Sequence, residues 1–162
     1  MFGVKSNGTV VYATTSKAGW IRETEKWNDV IQIAMGQNYV AGLKKDGTVI
    51  YSGYNQVYVE SKPVDEWNDI VKLFYADNNG DIQLIGLRTD GRVEYSGDNS
   101  KGELDVADWS DIVDIAVSEF STVGLKSNGT VVANFFSAKN GENAICQWGN
   151  IAVFKDNNER IR

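Results

Sequence analysis

The 162-residue sequence predicts an all-β, β-propeller-like fold, with four repeats of about 40 residues and three antiparallel strands per blade. Two recurrences predict it. The first is a nine-residue string: "GVKSNGTVV" (Gly3–Val11), "GLKKDGTVI" (Gly42–Ile50), "GLRTDGRVE" (Gly86–Glu94) and "GLKSNGTVV" (Gly124–Val132). The second is a tryptophan leading an apolar run: "WNDVIQIAM" from Trp27, "WNDIVKLFY" from Trp67, "WSDIVDIAV" from Trp109 and "WGNIAVFKD" from Trp148. These tryptophans lie 40, 42 and 39 residues apart.

Each repeat opens on strand A, the β-branched run that follows the tryptophan after two intervening residues. Such a run suits a buried strand. Strand B follows and ends at a turn pair: Asn7-Gly8, Asp46-Gly47, Asp90-Gly91 or Asn128-Gly129. These pairs are favoured in two-residue hairpins because both central residues need a positive φ. Strand C continues in Val, Thr, Tyr and Ile, residues that fit a pleated surface. A linker of about a dozen residues then leads to the next tryptophan, whose expected role is to fill the space between blades. The chain reads as one domain, 1–162, with repeats at about 3–41, 42–85, 86–123 and 124–156 and a charged tail at 157–162.

The chain starts on a B strand, and its last A strand is expected over Trp148–Phe154, where it can complete the first blade and leave no exposed edge. Three arrangements stay open on the sequence. They are a closed four-blade monomer, a homodimer joined through the blade ends, and a fragment of a longer protein.

Composition narrows the function. The net charge is −6 and the pI about 4.7, with no basic cluster, so direct nucleic-acid binding is not expected. An acidic surface favours a basic protein partner. The absence of histidine removes the commonest general base and metal ligand. A single cysteine, Cys146, excludes an internal disulfide. No apolar run approaches the ~20 residues of a membrane-spanning helix, and no membrane role is expected. A cytoplasmic location is favoured if Met1 is the native start, and an extracellular one if the chain is cut from a secreted protein.

Three elements together resemble the bacterial short form of the regulator-of-chromosome-condensation repeat: "GLKSNGTVV", the aromatic-Ser-Gly of "EYSGDNSKGELDV" (Glu94–Val106), and "WSDIVDIAV". They are similar also to the repeat of the propeller-type β-lactamase inhibitory proteins. The resemblance runs from about Gly3 to Val153. It implies a propeller that binds another protein, with aromatic residues of the A–B loops touching the target. The matching positions here are Tyr39 and Phe120.

Loops at blade ends are free to bind, since the strands are committed to packing. The A–B connections differ most between repeats: "GQNYVA" (Gly36–Ala41), "ADNNGDIQ" (Ala76–Gln83) and "SEFSTV" (Ser118–Val123). From Trp67 to Gly86 is 19 residues, against 15 from Trp27 to Gly42 and from Trp109 to Gly124, so the second connection is four residues longer. The candidate partner-binding residues are therefore Asn38 and Tyr39, Asn79 and Asp81, and Glu119 and Phe120. From the linkers come Trp20, the one tryptophan outside the repeat, and Tyr54 and Tyr58. Phe135 and Phe136 are candidates for burial or for contact between copies.

Other chemistry is poorly supplied. "DNNGD" (Asp77–Asp81) hints at calcium, but an EF-hand loop needs Gly and Glu where this chain has Ile82 and Arg88. Asp111 recurs as Asp29 and Asp69, which makes it a turn residue before strand A rather than half of a catalytic pair with Asp114. Cys146 has no histidine to activate it. No catalytic residue, metal or cofactor is expected. The reading is a non-catalytic protein-binding module, with enzyme inhibition as one form. The alternative is a structural repeat of a larger surface or scaffold protein, and a carbohydrate-binding or hydrolytic domain ranks below both.

Overall fold

The computed structural model describes residues 1–14, 18–36, 39–53, 63–78, 81–97, 99, 102, 104–118, 121–137 and 142–148. Its strands fall into four antiparallel sheets. The first pairs β1 (Phe2–Val4) with β2 (Val10–Tyr12). The second is β3 (Val30–Met35), β4 (Tyr39–Lys44) and β5 (Val49–Gly53), in that order. The third is β6 (Ile70–Asn78), β7 (Asp81–Arg88) and β8 (Val93–Gly97). The fourth runs β9 (Ile112–Ser118), β10 (Ser121–Lys126), β11 (Val131–Ser137) and β12 (Glu142–Trp148). Strand A is thus β3, β6 and β9, and these three pack side by side in succession as the inner strands. The chain is all-β and propeller-like, with one blade per repeat.

The hairpin turns sit where expected but not in the expected two-residue form: Asn7, Asp46, Asp90 and Asn128 do not take positive φ, and each loop spans three residues, as where Gly8 donates to the Lys5 carbonyl and Lys5 donates to that of Thr9. Gly8, Gly47, Gly91 and Gly129 take φ between 78° and 83°. The preceding Asn or Asp closes each turn with its own side chain. Its Oδ1 accepts the amide two residues on: Thr9 at 3.1 Å, and Thr48, Arg92 and Thr130 at 3.0 Å each.

The junctions between blades repeat as closely as the turns. Asp29, Asp69 and Asp111 adopt left-handed φ values of 57°, 58° and 61°. Each carbonyl accepts an amide of its own blade's turn, from Lys45, Thr89 and Ser127, at 2.8 Å. The next amide, of Val30, Ile70 or Ile112, donates at 3.0 Å to Gly8, Gly47 or Gly91 in the turn of the preceding blade. The approach is close enough that a Cβ on those glycines would sit 3.0–3.2 Å from the aspartate Cα. The turn glycine is thus needed twice, for its conformation and for contact with the next blade.

The tryptophans are held by a shared lead-in. Trp27, Trp67 and Trp109 donate their amides to Thr24, Val64 and Val106, three residues earlier, and all three of those are buried. The indole rings lie against Gly42, Gly86 and Gly124 of strand B, where a Cβ would come within 3.0, 2.9 and 2.6 Å of the ring. Two apolar clusters fill the gaps between sheets. Trp67 anchors one with Leu43, Val49 and Leu73, and Trp109 the other with Ile85, Leu104 and Ile115.

Two features depart from the sequence reading. The first linker contains a short helix, α1 (Gly19–Glu23), with Ile21 turned into the core. The stretch read as the last linker forms β12, whose final residue, Trp148, pairs with Val131. "AICQW" is rich in strand-forming residues, and the long edge of β11 gives them a partner. The rest of the expected closing strand, residues 149–154, lies outside the described residues.

Candidate functional site

The rim that carries the A–B connections is uneven because its hairpins differ in length. All three share a register at the strand-B glycine: Ile33 opposite Gly42, Leu73 opposite Gly86, Ile115 opposite Gly124. Beyond that rung, β3–β4 continues to Met35↔Val40 and β9–β10 to Ser118↔Ser121, while β6–β7 continues to Asn78↔Asp81. At ~3.3 Å per residue, the third blade's hairpin projects roughly 7–10 Å past its neighbours. The four-residue excess in the sequence is thus spent on a longer ladder, which places Asp77, Asn78 and Asp81 at its tip.

Tyr39 does not behave as an exposed anchor. It begins β4, paired with Gly53, and is 1% exposed. Its ring stacks on Tyr51 at 5.6 Å and meets the edge of Tyr75 at 5.6 Å. An aromatic side chain that reaches two others gains more by packing than by standing in water. The contact expected from the family resemblance is therefore corrected at this position: Tyr39 roofs the space between blades 2 and 3. Burial also pushes the Tyr51 hydroxyl pKa above its ordinary value.

Trp20 is half-buried in α1 and stacks on Phe2, with centroids 6.2 Å apart. Its carbonyl accepts the Ser52 hydroxyl at 2.8 Å. Since Ser52 pairs with Val40, this places Trp20 at the same end of the blade as Tyr39, farther from the inner strand. Asp81 lies at the start of β7. Asn38, Tyr54, Tyr58, Asn79, Glu119 and Phe120 lie outside the described residues.

Several contacts escaped the sequence reading. Ser52 and Asn134 occupy one repeat position on strand C, and both side chains bond a linker carbonyl: that of Trp20 for Ser52 and of Asp105 for Asn134. Gln32, Lys72 and Asp114 stand five residues after their tryptophans and tie the inner strands together. The Gln32 amide both donates to and accepts from the Leu73 backbone, at 2.6 and 2.9 Å, and Lys72 meets Asp114 at 3.0 Å. Aligning the repeats on tryptophan would have brought both sets into view.

No protein-family profile matches the chain, and no curated protein does. Among solved structures the chain is similar to yeast RCC1 (Prp20) bound to Kap60, at 16% identity and a TM-score of 0.49, covering 85% of this chain and 36% of that one. A structure of Prp20p from Saccharomyces cerevisiae gives 15% and 0.49, with 83% and 37% covered. The N-terminal domain of Nup159 gives 12% and 0.45, with 78% and 32% covered. The chain spans about a third of the length of these proteins.

Proposed function

We propose that this chain is a non-catalytic protein-binding module that engages its partner through the A–B rim, with the β6–β7 hairpin as the projecting element. The observation that carries the reading is the contrast between the two rims. At the turn rim, the described junctions are held by repeated backbone bonds between blades. At the A–B rim the connections differ in length and residue, and one stands clear of the rest.

The sequence at the tip includes the acidic residues Asp77 and Asp81, in a chain whose net charge is −6. A basic patch on the partner fits that charge, with steering that weakens as salt rises. Inhibition is the sharpest form of this proposal, a narrow acidic hairpin occluding a basic active-site mouth. The test is a photo-crosslinking residue at position 78, compared with one at position 128 on the opposite rim, in extract of the cells that make the protein. The expected result is a discrete protein adduct from position 78 that fades between low and 0.5 M salt, with none from position 128. Adducts of equal yield from both positions would overturn this placement.

A further inference from the structure

We propose that Asn7 and Asn128 are latent deamidation sites, unreactive while their turns are closed and converted to aspartate or isoaspartate when those turns open. The chemistry is that of an asparagine followed by glycine. The glycine backbone nitrogen attacks the asparagine Cγ, so an N–Cγ bond forms as the Cγ–Nδ2 bond breaks. Ammonia leaves, carrying the proton that the glycine nitrogen gives up, and a five-membered imide remains. Water then opens the ring at one carbonyl or the other, giving aspartate or isoaspartate, with no oxidation or reduction. Glycine favours ring closure because it has no Cβ to obstruct it.

By sequence and exposure both sites qualify. Asn7-Gly8 and Asn128-Gly129 are the reactive pair, and both asparagines are exposed. Their hydrogen bonds hold the reaction off. Attack needs a glycine nitrogen that can lose its proton and a Cγ brought over that nitrogen. Gly8 donates its amide to the Lys5 carbonyl at 2.8 Å, and Gly129 donates to that of Lys126 at 2.9 Å. The Asn7 Oδ1 accepts both the amide and the hydroxyl of Thr9, at 3.1 and 2.7 Å. The Asn128 Oδ1 accepts the same two groups of Thr130, at 3.0 and 2.7 Å. Each carboxamide is thus tied to the residue beyond the glycine, and each glycine N–H is committed across the turn.

The two products differ in what the fold does with them. Aspartate fits the turn, because Asp46 already occupies it and accepts the amide and hydroxyl of Thr48 at 3.0 and 2.6 Å. Isoaspartate routes the main chain through the side-chain carbon and adds a methylene between position 7 and Gly8. The Gly8 carbonyl accepts the Val30 amide at 3.0 Å across the junction to the next blade, and that bond depends on the native spacing. A turn that opens and reacts therefore either closes again with one more negative charge or loosens its junction. Local opening of this kind is the ordinary behaviour of exposed hairpin ends.

The test holds the intact chain in mildly alkaline buffer, either folded or in guanidinium chloride, and follows each site with time. Samples are cut with pepsin in acid, and each Asn-Gly peptide is read by mass spectrometry for a gain of one dalton. Asn79-Gly80 and Asn140-Gly141, which lie outside the described residues, supply reference rates in denaturant, where all four pairs share one chemistry. Positions 7 and 128 should convert at comparable rates in denaturant and stay asparagine in the folded chain. Thr9→Val removes one hydrogen bond to Asn7 and should speed conversion at position 7 roughly fivefold in the folded chain, with no change in denaturant or at position 128. Thr130→Val should do the same at position 128 alone. Equal rates at position 7 in the folded and denatured chain would overturn the proposal. So would valine variants that match the parent by circular dichroism and change neither rate. If the valine variants fail to fold, the comparison of folded with denatured parent chain decides.

Discussion

At the scale of single residues, the same turn is built with two side chains of different charge. Asp46 and Asp90 stand where Asn7 and Asn128 stand, and all four accept the amide two residues on. The hydroxyl of Thr48, then its amide, holds the Asp46 carboxyl below its usual range, and the Arg92 side chain does the same for Asp90. An acid depressed in this way stabilises the fold at pH above its unfolded value of ~3.9, and that contribution is lost as pH falls through the folded value. Asp46→Asn should therefore leave the melting temperature at pH 7 nearly unchanged and flatten its fall below pH ~4, as read by circular dichroism across pH. Gly91→Ala tests the other half of the turn. It forces a side chain into a φ of 78° and against the Asp111 backbone, and should cost about 1–3 kcal/mol in urea unfolding. The positions of the turns were legible from sequence because their causes are local, whereas their three-residue form, with only the glycine at positive φ, was not. The burial of Tyr39 was not, because it depends on Tyr51 and Tyr75 from two other strands.

At the scale of the element, the tryptophan lead-in couples linker to blade. Trp67 is 1% exposed inside the cluster between blades 2 and 3, whereas Trp27, the same element one blade earlier, is half-buried. Trp67→Ala should cost about 3–5 kcal/mol and Trp27→Ala clearly less, in parallel denaturant titrations. Equal losses would mean that the ring contact with strand-B glycine, common to both, outweighs the cluster around it. Strands A, B and C were readable because their period and turn residues recur. The helix α1 and strand β12 were not, since each is settled by what it packs on: Ile21 by the core beneath it, and "ENAICQW" by the free edge of β11.

At the scale of the whole molecule, stability is the sum of similar blades and similar junctions, as in other repeat proteins. The backbone bonds across each junction agree to within 0.1 Å from blade to blade, and they are made by glycine and by main-chain groups. Such bonds carry no address. A nascent chain in which the turn of blade 1 captures the lead-in of blade 3, skipping blade 2, forms the same inter-blade hydrogen bond as the correct pair. Discrimination falls to the side chains that are not alike: Gln32 reaching the Leu73 backbone, and Lys72 seeking Asp114. These modest contacts act as the proofreaders of assembly order, and exchanging Lys72 with Asp114 keeps their charge but scrambles which blade each one recognises.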